Sequence, residues 1–391
     1  MRDVVIVGAA RTPIGDFGGA LRTVTAYELA VTAVNGALQR AGISKEAVDE
    51  VILGNCLQRS DEANIARYVA MLCGMLKETT GFTVQRQCSS GMQAVISAYQ
   101  EIVLGDAEIV VAGGTESMSN APYLLKEARW GKRLQHGQMS DSIWDVLTDP
   151  VPGIIMGETA ENLAEKYGIT REEQDEIALR SHQNAVAAIK EGRFVEEIVE
   201  VKVEGRKGVN TVTTDEHPRA DISLERLSQL KAVFRKGGTV TAGNSSSLND
   251  GAAAVVLMSA EKAKDLGIEP LAKISSYAWA GVEPELMGYG PVPATKKALA
   301  KAGIRLEDIQ LIELNEAFAA QYLACEKLLG LDRNIVNVNG SGISLGHPIG
   351  CTGTRIIVSL IYEMKRRNLN LGLATLCIGG GMGMAMVLER E

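Results

Sequence analysis

Four residues carry the chemistry open to this sequence. Cys88 stands in Gln87-Cys88-Ser89-Ser90-Gly91-Met92-Gln93-Ala94. The chain before it, Gly81 to Arg86, reads as a strand ending, and the chain after it, Met92 to Tyr99, reads as a helix. A thiol at a helix start faces unpaired N–H groups and is expected to shift toward thiolate, the nucleophile of acyl transfer. On that stretch alone, a small buried cysteine fits as well. His347 lies in the glycine-rich turn Gly346-His347-Pro348-Ile349-Gly350, where an imidazole beside Cys88 could take its proton. A structural histidine is the alternative. Cys377 closes the apolar run Leu373 to Ile378, just before Gly379-Gly380-Gly381, either as a buried strand cysteine or as an acid/base. Asn315 follows a strand ending and could hold a water or a carbonyl oxygen, or cap the next helix. The other histidines, His136, His182 and His217, lie in polar stretches and are expected at the surface.

Composition narrows the classes. The chain has 391 residues and is 46% hydrophobic, long enough for two or three domains. A net charge of −8 argues against general nucleic-acid binding. No apolar run reaches membrane-spanning length, so no membrane insertion is expected. The first residues enter a strand almost at once, without the layout of a signal or transit peptide, and a cytoplasmic protein is expected. None of the six cysteines forms a Cys-x-x-Cys pair, so no metal site is expected.

The elements that must position these residues alternate between strand and helix, the pattern of an α/β fold. Strands are expected over Asp3–Gly8 and Val48–Leu53, and helices over Ala26–Arg40 and Asn64–Met75. The sequence also repeats itself. Residues 37–55 (Ala-Leu-Gln-Arg-Ala-Gly-Ile … Val-Ile-Leu-Gly-Asn) align without a gap on residues 298–316 (Ala-Leu-Ala-Lys-Ala-Gly-Ile … Ile-Glu-Leu-Asn-Glu). Val110-Val111-Ala112-Gly113-Gly114 matches Leu376-Cys377-Ile378-Gly379-Gly380. Met384 to Leu388 resembles Ala252 to Met258. Two copies of one α/β unit follow. In the second copy the Gly-Gly turn runs straight into the last strand, whereas about 130 residues separate Gly114 from Ala252, far beyond an ordinary connection. That excess predicts an inserted lobe, helical over Thr159–Arg193, with helices opening at Ala160 and, through a capping box, at Thr170-Arg171-Glu172-Glu173. Two copies about a pseudo-twofold axis would bring equivalent strand ends together, so Cys88, Asn315, His347 and Cys377 are expected to converge on one pocket.

The motifs Gln87-Cys88-Ser89-Ser90-Gly91, Gly113-Gly114-Thr115-Glu116-Ser117-Met118-Ser119, Asn315-Glu316-Ala317-Phe318, Gly346-His347-Pro348-Ile349-Gly350 and Cys377-Ile378-Gly379-Gly380-Gly381 resemble those of the thiolase family, in family order and over essentially the whole chain. The resemblance implies an α/β thiolase fold: two duplicated five-stranded halves in a layered α-β-α-β-α sandwich, with an inserted loop domain. The implied domains are 1–118 plus 249–269, 119–248 and 270–391. It implies a ping-pong acyltransferase acting on 3-ketoacyl-CoA, or condensing two acetyl-CoA in reverse. Cys88 would be acylated, His347 would activate it, and Cys377 would move the proton at the α-carbon. Asn315 with His347 would hold the thioester oxygen, and the N–H groups of Cys88 and Gly379 would form a second oxyanion hole. CoA would be a substrate, with no permanently bound cofactor. Its contacts would resemble Leu147, Met156, Arg219, Phe234 and Ser246 of the lobe, with Ala317 and Phe318 at the pocket mouth. The basic cluster Lys126, Arg129, Lys132 and Arg133 fits a solvated face better than a ligand site. A homodimer or homotetramer is implied, and Cys88 and Cys377, facing one pocket, could cross-link on oxidation.

Three departures stand out. Ile155-Met156-Gly157 replaces the His-Met-Gly of short-chain acetoacetyl-CoA thiolases, and Ser-Ser-Gly after Cys88 resembles degradative members. Both point to broader or longer substrates. Gly340-Ser341-Gly342 with Cys351 also departs from the usual pattern, without an interpretation. The alternatives are a short-chain biosynthetic acetoacetyl-CoA thiolase, a decarboxylating ketoacyl synthase and a non-catalytic acyl-CoA-binding protein.

Overall fold

The structure is a computed structural model and describes residues 2–205 and 208–390. The first copy of the repeat runs through β1 (Val4–Arg11), α1 (Ala26–Ala41), β2 (Glu50–Gly54), α2 (Ile65–Leu72), β3 (Thr80–Val84), α3 (Ser90–Leu104) and β4 (Ile109–Ser117). A long excursion carrying α4 (Met156–Tyr167) and α5 (Arg171–Lys190) then leads to β5 (Asn249–Ser259). The second copy runs through β6 (Ala272–Gly281), α6 (Pro291–Ala302), β7 (Leu311–Leu314), α7 (Ala319–Leu329), α8 (Ile349–Arg367), β8 (Leu371–Ile378) and β9 (Met382–Glu389).

In space four strands of one copy match four of the other. The first is ordered β3-β2-β4-β5-β1 and the second β7-β8-β9-β6. β2 is parallel to β3 and β4 while β5 is antiparallel to both neighbours; β7 is parallel to β8 while β9 is antiparallel to both of its own. The second copy's counterpart of β3 shrinks to one parallel bridge from Ile312 to Val336. Asn337 follows at φ 49 and turns the chain off the sheet edge at once. The two sheets join where β1 pairs with β6 through Val5–Lys273 and Ile6–Ala272.

Strand alternation sorts the side chains into layers. Ile6, Val255 and Leu257 of the first sheet, and Leu376, Met384 and Met386 of the second, pack on α3 and α8 between the sheets. Val5, Val7, Ala254 and Val256 face outward onto α1 and α2. Leu373, Ala385 and Val387 face outward onto α6 and α7. The result is a five-layered α-β-α-β-α sandwich. Its central helix α8 is buried at every residue from Ile349 to Met364, and the polar stripe Thr352, Arg355, Ser359 and Glu363 is buried with hydrogen-bond partners at His347, Glu313, Glu197 and Asn339.

Local signals set the element ends. Thr25 and Glu28 form a capping box on α1, and Thr170 and Glu173 form the expected one on α5. Other ends differ from the sequence reading. The helix expected to Met75 stops at Leu72, because Gly74 turns at φ 74. β3 ends at Val84 rather than Arg86, and α4 opens at Met156, before Ala160.

The excursion is tied to both copies. Arg11 is fully buried and pairs with Glu197 at 2.6 Å and Asp215 at 2.7 Å. Removing one member of such a buried set costs about 3–5 kcal/mol. At the other end, Ser246 N–H donates to Ala317 O and Ala319 N–H to Asn244 O, both at 2.9 Å. Residues 244–246 are thereby zipped onto the entrance of α7.

Candidate active site

Cys88 sits in a tight turn between β3 and α3. Gln87 has φ 44, a conformation that non-glycine residues seldom adopt. The serines that follow hold it there. Ser90 Oγ donates to Gln87 O at 2.6 Å and accepts from Arg86 N at 2.9 Å, and Ser89 Oγ donates to Arg86 O at 3.0 Å. The Cys88 thiol meets the backbone N–H groups of Gly379 and of Cys88 itself. Those donors favour thiolate, as expected for this turn. Burial outweighs them and pushes the thiol up to about 11, so the expected shift toward thiolate is reversed. A neutral thiol at rest needs a base.

His347 can be that base. Its turn depends on Gly346, at φ 100, where a Cβ would overlap the Asn249 side chain. Asn249 Oδ1 accepts the His347 N–H at 2.9 Å. The Nδ1 atom lies 2.7 Å from Thr352 Oγ1, and that hydroxyl donates to Pro348 O at 3.0 Å. A hydroxyl has one proton, so Nδ1 must donate to it and Nε2 keeps its lone pair. Among the described residues, Nε2 is buried without a partner. Burial, reinforced by Arg355, lowers the imidazole to about 3, which keeps it neutral at physiological pH.

Glu116, from β4, clamps the same turn across the two copies. Its carboxylate accepts N–H bonds from Cys56, Leu57 and Gly350 and from Asn55 Nδ2, at 2.8–3.1 Å. Cys88 packs in one small apolar cluster with Ile349, two residues past His347.

Cys377 ends β8 fully buried; burial pushes its thiol well up, and a charge on neighbouring Cys88 pushes it further. Asn315 is also fully buried, and among the described residues neither polar side-chain atom has a partner. It does not cap α7, whose cap is Phe318, so the helix-cap alternative falls. Its N–H bonds Thr375 O at 3.0 Å, fixing it beside the end of β8. At Gly379 a Cβ would overlap Gln87 and stand 3.4 Å from Met156 Sδ, so the Gly379 and Cys88 turns touch. Cys351 is buried in the central core.

A groove of about 300 Å³ lies on the lobe side, lined by His182, His217, Arg219, Arg226, Ser245 and Ile343 among others. Ile343 belongs to the short helix Gly342–Leu345 that precedes His347. The other expected contacts pack or bond against one another. Phe234 meets Phe318 edge-on at 6.0 Å and packs on Gly157, Met156 N–H bonds Leu147 O at 2.8 Å, and Ser246 bonds Ala317. Lys126 pairs with Asp145 at 2.6 Å and Lys132 with Glu127, on an exposed face. Two histidines differ from expectation. His182 is buried and accepts the Arg219 N–H at Nδ1, 3.1 Å away, and His217 is mostly buried against Asp16 at 2.7 Å. Both come from polar stretches that fold over the groove.

The family description "Thiolase, N-terminal domain" matches residues 4–261, and "Thiolase, C-terminal domain" matches residues 268–390. The chain belongs to the thiolase family. It is 52% identical to an acetyl-CoA acetyltransferase of Syntrophomonas wolfei, over 99% of each chain. The crystal structure of the Bacillus anthracis acetyl-CoA acetyltransferase superposes with a TM-score of 0.98 at 59% identity, covering 100% of this chain and 99% of that one. Human mitochondrial 3-ketoacyl-CoA thiolase in complex with CoA superposes at 0.97 with 45% identity, covering 100% and 98%.

This thiolase is an acyltransferase. Thr352, Glu116 and Asn249 escaped the sequence reading. Glu116 lies inside a motif and Thr352 beside one, but Glu116 and Asn249 hold backbone N–H groups and Thr352 holds the imidazole, tasks that no local pattern marks. The Ser-Ser pair after Cys88 has a structural account in the Gln87 turn. Ile155 pairs with Thr148 in a two-residue ladder at the mouth of α4 and brings no polar group there. Gly342 is required by space, since a Cβ would press on Glu316 O and stand 2.8 Å from Asn315 Oδ1.

Proposed function

We propose that this thiolase runs ping-pong acyl transfer on CoA thioesters through an acyl-Cys88 intermediate. The observation that carries this reading is the unpartnered Nε2 of His347, kept as an acceptor by the Thr352 hydroxyl. In the cleaving direction His347 Nε2 takes the Cys88 proton. The sulfur attacks the 3-keto carbon of a 3-ketoacyl-CoA. The N–H groups of Cys88 and Gly379 stabilise the oxyanion, and preorganised donors of this kind contribute about 3–4 kcal/mol each. The C2–C3 bond breaks, Cys377 protonates C2, and acetyl-CoA leaves. Asn315, directly or through a water, and His347 hold the thioester oxygen as charge moves onto it. Cys377, now a thiolate, takes the proton of the CoA thiol. The CoA sulfur attacks the acyl-cysteine and carries away the shortened acyl group, and the leaving Cys88 sulfur regains its proton from His347. Reversal condenses two acetyl-CoA.

Peptide mapping after incubation with acetyl-CoA is the test. Acetyl on Cys88 supports the reading, and its absence sinks it. Thiolysis of acetoacetyl-CoA by CoA, followed through loss of the 3-ketoacyl absorbance, separates an enzyme from a protein that only binds acyl-CoA.

Arg219 gives the groove a cation suited to phosphate, beside Arg226, which pairs with Asp221 of the same lining; on that basis the reading puts the CoA nucleotide there, with Leu147, Met156, Phe234, Ser246, Ala317 and Phe318 along the pantetheine arm. Ile155 supports acyl chains longer than acetoacetyl, while the short-chain reading draws on the acetyl-CoA acetyltransferase relatives. A chain-length series of 3-ketoacyl-CoA substrates decides between them. Among the described residues β3 pairs on one side only, at the end of the sheet, which supports a homodimer or a dimer of dimers. Light scattering on the purified protein tests the assembly.

A further inference from the structure

Asn249 has two roles in the fold that meet at one side chain. It is fully buried, and each of its polar atoms serves two partners. Its Oδ1 accepts the His347 N–H at 2.9 Å and the Ser247 hydroxyl at 2.8 Å. Its Nδ2 donates to Gly15 O at 3.1 Å and Asp16 Oδ1 at 3.4 Å. Asp16 Oδ1 also holds His217 Nδ1 at 2.7 Å. His217 is a wall of the groove, two residues from Arg219. Its neighbours fix the same loop from the lobe side: Glu216 accepts Asp16 N–H at 2.9 Å, and Asp215 accepts Ile14 N–H at 2.9 Å.

An unbroken series of hydrogen bonds thus runs from the groove wall to the backbone of the catalytic imidazole: His217, Asp16, Asn249, His347. At its far end there is no slack. Gly346 packs so tightly on the Asn249 amide that even a methyl group would overlap it. A shift of Asn249 therefore moves the turn that aims Nε2. Displacements near 1 Å at a reacting group cost up to about a hundredfold in rate.

We propose that Asn249 and Asp16 are positioning residues for His347, and that they strut the catalytic turn against the groove wall at His217. The strut rests on the acyl-transfer reading given above. It acts on the aim of the base and not on the affinity of the groove, so its signature is independent of whether a nucleotide is bound.

The test compares acylation of Cys88 by two donors, acetyl-CoA and the acetyl thioester of N-acetylcysteamine, which has no nucleotide or phosphate to reach the groove. Asn249→Asp keeps the acceptor for His347 but loses both donors. Its saturating rate should fall about tenfold with both thioesters, with little change in KM. His217→Leu should slow both donors in the same way. His217→Asn, which offers an amide nitrogen where Nδ1 stood, should restore the rate with the truncated thioester. A slowing of His217→Leu confined to acetyl-CoA would make His217 a plain ligand contact and overturn the strut. So would wild-type rates in Asn249→Asp, or no rescue by His217→Asn. If Asn249→Asp does not fold, the two His217 variants decide the matter. A wild-type protein that is acylated by neither donor would instead bring down the acyl-transfer reading itself.

Discussion

His347 Nδ1 lies 2.7 Å from the hydroxyl of Thr352, and that hydroxyl reaches back to the carbonyl of Pro348. One threonine side chain thereby fixes both the tautomer and the tilt of the imidazole. Thr352→Val keeps the shape but leaves a buried N–H without an acceptor, so the imidazole loses its reason to keep Nε2 unprotonated. Acylation of Cys88 should slow about tenfold or more, part of the ~10²–10⁴ that a placed general base contributes. Thr352→Ser keeps the hydroxyl and should stay near the wild-type rate. Rapid-quench mass spectrometry of the acyl-enzyme reads the difference.

The two protonation shifts at this site predict pH behaviour of opposite sign. Burial, helped by Arg355, lowers His347 to about 3, below the ordinary imidazole value of 6.5. The unfolded chain therefore binds this proton more readily, and the stability contributed by neutral His347 is present above about pH 6.5 and is lost as pH falls toward 3. His347→Asn should flatten the acid side of the stability curve measured by denaturant titration. Burial raises Cys88 to about 11, so its alkylation by iodoacetamide should keep climbing from pH 7 to 10 instead of levelling near 8.5, the value of a free thiol.

The proposed mechanism gives Cys377 and Cys88 different steps. Cys377→Ala leaves the Cys88 turn, the Gly379 N–H and His347 in place, so acetyl transfer from acetyl-CoA to Cys88 should survive within a few fold. Proton movement at the α-carbon should fall by about 10²–10⁴. Acetyl transfer between CoA and a CoA analogue reads the first step. Exchange of the acetyl-CoA methyl protons with deuterated water reads the second. Loss of both in one variant would contradict the separate roles.

The duplicated α/β fold was legible because the helix, its Ala-Gly-Ile stop and the next strand repeat without a gap, and equal local patterns fold alike. The shrinkage of one strand to the Val336 bridge was not, since it follows from Asn337 in a left-handed turn that no periodicity marks. At the site, Cys88, His347 and Cys377 could be named because their side chains are rare and sit beside glycine turns, and Asn315 because it follows the end of a repeated strand. Glu116 and Asn249 could not, because they hold backbone N–H groups of segments 59 to 234 residues away. The ionisation of Cys88 was misread for a related reason. The helix start is local and visible in sequence, whereas the burial that outweighs it comes from both copies of the fold.

Gly114 gives the sharpest test of how the two copies meet. It lies on β4 where Gly350, at the start of α8, and Gly91, near the start of α3, come together. A Cβ on Gly114 would overlap the Gly350 carbonyl oxygen and stand 3.0 Å from Gly91 Cα. Both obstacles are backbone, so no rotamer change relieves them. Gly350 also gives its N–H to Glu116 at 2.9 Å, and any retreat strains that bond and the His347 turn with it. Gly114→Ala should therefore cost about 1–3 kcal/mol or more in stability, the range for overpacking a close-packed core. Acylation of Cys88 should also fall in molecules that remain folded. Calorimetry and the acyl-enzyme assay, run on one preparation, separate the two effects. A variant with unchanged melting temperature and unchanged acylation would mean that the two copies are less closely joined at this point than Gly91, Gly114 and Gly350 indicate.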